Sequence, residues 1–101
     1  MRDLERLAGA ELKLERKTVR ELIELALAHA DEDGELPDSS PAVCVRRPED
    51  PGKPVYPGRN VEELTKLVLE GWELTVRIAE GGRLGFFTLK PKGETVSVSY
   101  L

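Results

Sequence analysis

Glutamine is absent from this chain, and Asn60, Cys44, His29 and Trp72 are each the sole residue of their type. One cysteine makes no internal disulfide, and one cysteine with one histidine falls short of the ligand set of a structural zinc site. No apolar run approaches the roughly 18 residues of a membrane-spanning helix. The opening Met1-Arg2-Asp3-Leu4-Glu5-Arg6 is charged and lacks the apolar stretch of a signal peptide, so the chain reads as cytoplasmic. A glycine-rich phosphate loop, a paired-cysteine motif and a nucleophile elbow are all missing. These absences remove the sequence patterns by which most enzymes declare themselves, and we expect no catalysis, no metal and no cofactor.

What is present suits one small folded domain over residues 1–101. Apolar residues make up 40% and charged residues 34% of 101 positions, enough to build a single core without staples. The missing glutamine and the abundance of Glu, Arg and Leu resemble thermophile usage, a bias that a GC-rich genome also produces. The formal net charge is −4, and it is uneven. Residues 1–38 carry a balance of −5, residues 39–60 a balance of +2, and the remainder −1. An acidic whole disfavours general nucleic-acid binding, which neutralises many phosphates, while the local basic stretch keeps a confined version open.

Hydrophobic periodicity outlines the elements. Leu4, Leu7 and Ala8 form one face of a short helix stopped by Gly9. Residues 11–16 alternate as a short strand, although a period near 3.6 also fits them. Thr18-Val19-Arg20-Glu21 has the form of a capping box, and Val19, Leu22, Ile23, Ala26, Leu27 and Ala30 follow as a helical stripe. An acidic loop, 31–41, comes next, with Gly34 as the stop. Residues 42–47 are β-branched and read as a strand. The proline-rich stretch 48–59 reads as a loop, and Asn60 with Glu63 caps a second main helix that Gly71 closes.

The last third is the most regular. Strands over 72–79, 84–90 and 94–101 are separated by Gly81-Gly82 and Lys92-Gly93. Two-residue turns there place Val76 opposite Phe87, Leu89 opposite Val96, and Phe87 opposite Val98. Leu74, Val76, Ile78, Phe87, Leu89, Val96, Val98 and Tyr100 then share one face, with Trp72 at the corner. The expected fold is α+β: two main helices on one face of a mainly antiparallel, or mixed, sheet of three to five strands, ending in a three-stranded meander. If strand 42–47 lies beside 72–79, the link through the Asn60 helix is expected to be a right-handed crossover.

Several residues invite a chemical reading. His29, beside Asp31 and Asp33, has the types for general-base or metal work, but a histidine at a helix C-terminus is also favoured by the helix dipole alone. Asp31-Glu32-Asp33-Gly34-Glu35 has the glycine of a calcium loop, but aligning it puts His29 and Ser40 at ligand positions that need carboxylates. Cys44, between two valines, behaves as a small apolar residue unless a base lies near. Ser39-Ser40, Ser97 and Ser99 have no basic partner in sequence.

Two surfaces stand out. Leu84 and Phe86 point away from the apolar strand face, with Arg77 opposite Phe86, and such aromatic and arginine groups anchor interfaces. Pro48, Pro51, Pro54 and Pro57 recur every third residue, the period of polyproline II, with Arg46, Arg47, Lys53, Tyr56 and Arg59 around them. Pro54-Val55-Tyr56-Pro57-Gly58-Arg59 fits the P-x-x-P-x-R pattern read by SH3 grooves, while a stiffened crossover loop explains the prolines equally. The expected function is a protein-interaction module, a regulator, inhibitor or accessory subunit, using Arg77, Leu84 and Phe86 together with Arg46, Arg47, Lys53, Tyr56 and Arg59. The alternative is a nucleic-acid or nucleotide binder using the basic stretch 46–59. A homodimer through a free edge of strand 94–101 is compatible with either.

Overall fold

Alternating Leu74, Val76, Ile78 against Phe87 and Leu89 is realised as the centre of a six-stranded, wholly antiparallel sheet. The computed structural model describes residues 2–31, 41–80 and 83–101. Among them the elements run α1 (Arg2–Leu7), β1 (Glu11–Lys13), α2 (Arg16–Ala28), β2 (Val43–Arg47), β3 (Asp50–Val55), α3 (Val61–Leu69), β4 (Glu73–Glu80), β5 (Arg83–Lys92) and β6 (Thr95–Tyr100). The strand order is β1-β6-β5-β4-β2-β3. A Cα radius of gyration of 12.7 Å is that of one compact domain of this length.

The core follows the periodicities. Leu4 of α1, Val19, Leu22, Ile23 and Ala26 of α2, and Leu64 and Val68 of α3 form one buried cluster with the inward side chains of the strands. The inward set is Val43, Val45, Leu74, Val76, Ile78, Phe87, Leu89, Val96 and Val98. Residues between them, such as Thr75, Arg77, Phe86 and Thr88, lie on the other face. Asn60 caps α3 as expected, its Oδ1 accepting from the Glu63 amide at 3.0 Å. Gly9 and Gly71 follow their helices with φ of 86° and 104°, the left-handed conformation a helix stop requires.

Five expectations change. The helix expected from Thr18 starts at Arg16: Leu14 still donates to the Glu94 carbonyl, Glu15 is extended at the N-cap position, and the Val19 amide already bonds Glu15. Thr18 is therefore inside the first turn, and its hydroxyl donates to Glu15 at 3.5 Å instead of capping. The last hairpin turns at Gly93-Glu94, not Lys92-Gly93, so Leu89 faces Val98, Phe87 faces Tyr100 and Pro91 faces Val96. Gly93, at φ 62°, takes the left-handed position of that turn. A shift of two residues preserves side-chain parity, which is why the buried set is unchanged although the partners differ.

The third change is in the loop expected over 48–59. Pro48-Glu49 is a two-residue turn, and Asp50–Val55 returns as β3, so the sheet has six strands and not three to five. Pro51 and Pro54 are tolerated because β3 is an edge strand, paired on one side only, with a register irregularity between Val45 and Arg47 of its partner. Fourth, β2 and β4 are neighbours but antiparallel, so no right-handed parallel crossover exists. Fifth, β6 is not an edge. β1 pairs with it through Leu12 and Val96, and the Gly9 amide donates to the Val98 carbonyl at 2.8 Å. The expected dimer edge is thus occupied within the chain. The Gly81-Gly82 turn, Gly34, Asp33 and Ser39-Ser40 lie outside the described residues.

Candidate functional site

The strand order decides which outward side chains meet. With β3, β2, β4 and β5 adjacent in that order, residues distant in sequence converge on the outward face. Cys44 and Arg46 project from β2, Thr75 and Arg77 from β4, and Phe86 from β5, and with Pro41, Ala42 and Tyr56 they line a cleft of about 220 Å³. Four of the eight residues expected at a binding site, Arg46, Tyr56, Arg77 and Phe86, therefore share one concavity.

Arg77 is the most constrained of these. Its Nε donates to Asp31 Oδ2 at 2.9 Å, and both side chains are only 13% exposed. The Asp31 amide donates to the Arg77 carbonyl at 2.8 Å, so backbone and side chain hold the pair together. Among the described residues Arg77 Nη2 is buried with no hydrogen-bond partner, a desolvated donor costing about 1–3 kcal/mol. Across β4 and β5 the Thr75 and Thr88 hydroxyls approach to 3.4 Å.

Beside the cleft is an apolar strip. Leu84 is 58% exposed and Phe86 43% exposed on the same strand face. Phe86 and Leu101 exchange both backbone hydrogen bonds, at 3.1 and 3.0 Å, which sets Leu101 directly across from Phe86 on that face. Leu101 is 87% exposed and extends the strip. Sequence reasoning missed it although its parity was legible: the Lys92-Gly93 turn also sets Leu101 on the outward face, opposite Leu84, and only its partner changes.

A second cleft of about 260 Å³ opens further along the sheet. Arg46, Arg47, Glu73 and Lys90 line it together with Pro48, Pro51, Gly71 and Pro91. Arg46 borders both clefts. The guanidinium of Arg47 stacks over Trp72, 5.0 Å from the ring centroid, a contact no spacing rule anticipates.

The remaining expected residues disperse. Lys53 pairs with Asp50 at 3.7 Å on the solvent side of β3. Arg59 donates to the Asp31 carbonyl, so the arginine of the P-x-x-P-x-R pattern is turned back onto the fold. The basic stretch 46–59 is consequently not one continuous cationic surface.

Cys44 lines the first cleft. Burial pushes its thiol up from the ordinary value, Arg46 partly opposes this, and Glu73 adds to it. The neutral thiol is favoured, the opposite of an activated nucleophile. His29 takes the C-cap position of α2, where its amide bonds the Ala26 carbonyl. Among the described residues no group of three or more His, Cys, Asp or Glu is placed to hold a metal, and no helix is long and apolar enough to cross a membrane. Comparison with protein-family models, curated proteins and solved structures gives no match.

Proposed function

We propose that this chain is a protein-interaction module, a small regulator, inhibitor or accessory subunit that binds its partner through the outward face of the sheet and performs no chemistry itself. The observation that carries the reading is the exposed strip of Leu84, Phe86 and Leu101 beside a cleft walled by Arg46, Tyr56 and Arg77. Apolar, aromatic and arginine side chains on a rigid strand scaffold are the composition of interface centres. Strands hold these groups with little conformational entropy left to lose on binding.

The test is capture from lysate of the source organism with immobilised wild-type chain and with Phe86→Glu, both after nuclease treatment. A stoichiometric protein retained by the wild type and lost from a Phe86→Glu variant of unchanged Tm is the expected result. Equal capture by the two would remove the reading.

A nucleic-acid or nucleotide binder is the second reading, favoured by the grouping of Arg46, Arg47 and Lys90 around the second cleft. It requires binding that weakens steeply with salt and is lost in Arg46→Ala/Arg47→Ala. Capture that disappears with nuclease would select it.

A further inference from the structure

We infer that the outward face takes an extended, acidic peptide segment, with its carboxylates against Arg46 and Lys90 and its apolar side chains against Phe86 and Tyr56. The inference rests on the interaction-module reading and names the chemistry of the partner. Arg46 borders both clefts, so they lie side by side on the outward face and one extended segment can reach both. On β5, Phe86 of the first cleft and Lys90 of the second are four residues apart, about 13 Å at strand rise, the length of four to five extended residues. One end is aromatic and the other is basic.

Charge decides the class of occupant. Arg46, Arg47, Arg77 and Lys90 border the two clefts, against Glu73 on the wall of the second and Asp31, which is committed to Arg77. Among the described residues Arg46 and Lys90 enter no ion pair within 4.0 Å, and the one carboxylate beside them, Glu73 opposite Arg46 in register, offsets only part of their charge. A few cations on a chain of net charge −4 suit a few carboxylates better than a phosphate polymer, whose binding scales with the number of phosphates neutralised.

Geometry excludes the commonest alternative mode for an extended peptide, addition to a sheet edge. The β1 edge is three residues long, and the β3 edge contains Pro51 and Pro54, which lack the amide that pairing needs. The segment must therefore lie across the face, held by side chains.

Cys44, the sole cysteine, borders the first cleft and reports its occupancy. The experiment measures the iodoacetamide alkylation rate of the full chain with three probes: the acetylated pentapeptide Glu-Phe-Glu-Leu-Glu amide, its Gln-for-Glu counterpart, and a short oligothymidylate. The acidic peptide is expected to slow alkylation about threefold at twice its dissociation constant, since protection follows 1 + [L]/Kd. The Gln peptide should give none at that concentration. Lys90→Glu, remote from the thiol, should abolish protection relative to its own unliganded rate while leaving Tm unchanged. Equal protection by the Gln peptide, stronger protection by the oligothymidylate, or none by any probe would overturn the inference. Partner capture separates the two levels. Capture lost in Phe86→Glu but kept in Arg46→Glu/Lys90→Glu would leave the module reading intact and sink the acidic segment. Capture unaffected by Phe86→Glu would sink the module reading itself.

Discussion

The meander of β4, β5 and β6 and the hairpin of β2 and β3 belong to one sheet, yet they are held by different physics. In the meander every second side chain is buried on the core side, and Leu74, Val76, Phe87, Leu89, Val96 and Val98 constrain one another. In the hairpin only β2 contributes to the core, through Val43 and Val45. The residues of β3 are mostly exposed, and the strand exists because Pro48-Glu49 turns it back alongside β2. Alternation specifies a strand where a core rewards it. At an edge, turn geometry and one neighbour suffice, and composition misleads.

Five variants probe that contrast. Phe87 is fully buried at the centre of the meander, and Phe87→Ala should cost about 3–5 kcal/mol in chemical denaturation, the transfer and cavity penalty of a large core side chain. A loss below 1 kcal/mol would show that the meander is not the stability centre.

Gly85 sits where an added Cβ would come within 2.8 Å of both the Leu101 carbonyl oxygen and the Tyr100 hydroxyl. Gly85→Ala should therefore displace the Tyr100 ring and cost about 1–3 kcal/mol, as overpacking does. Gly52 in β3 has open space around it, and Gly52→Ala should change stability by no more than about 0.5 kcal/mol. Equal costs at the two glycines would erase the distinction between the regions.

Arg47 joins the hairpin to the corner of the fold by stacking over Trp72. Arg47→Ala should lower stability by about 0.5–1 kcal/mol and shift the emission of the single tryptophan. An unchanged spectrum would contradict the contact.

The smallest effect on monomer stability is expected from Pro51→Thr/Pro54→Thr, but sedimentation velocity should then detect self-association, because the substitutions restore amide donors to a bare edge. A strictly monomeric variant would mean the prolines do not guard it.

Most of the fold was legible in the sequence. The β4–β5 pairing follows from matching apolar parity across a glycine turn, and the Asn60 cap from one side chain and one spacing. Parity alone leaves a two-residue ambiguity in β5–β6. With Gly93 first in the turn only the glycine takes positive φ, whereas a Lys92-Gly93 turn of the I′ type would demand it of Lys92 as well. The start of α2 was misplaced because Thr18 and Glu21 satisfy a capping pattern that the early exit from β1 makes unnecessary. Proline spacing hid β3, since the three-residue period of polyproline II and an edge strand both accommodate it. The site was half legible. Arg77 and Phe86 follow from register, but their meeting with Arg46, Tyr56 and Cys44 depends on the order β3-β2-β4-β5, which no local pattern encodes. The contacts that turn Arg59 back to Asp31 and lay Arg47 over Trp72 are equally non-local.

The central claim, that the outward sheet face is the docking surface, is tested most directly by site-specific photo-crosslinking to the captured partner. A benzophenone side chain is introduced at Leu84 in one variant and, in another, at Glu21, an exposed position on α2. Crosslinks formed from position 84 and none from position 21 are the predicted result. Crosslinks from position 21 alone would place the partner on the helices and contradict the account.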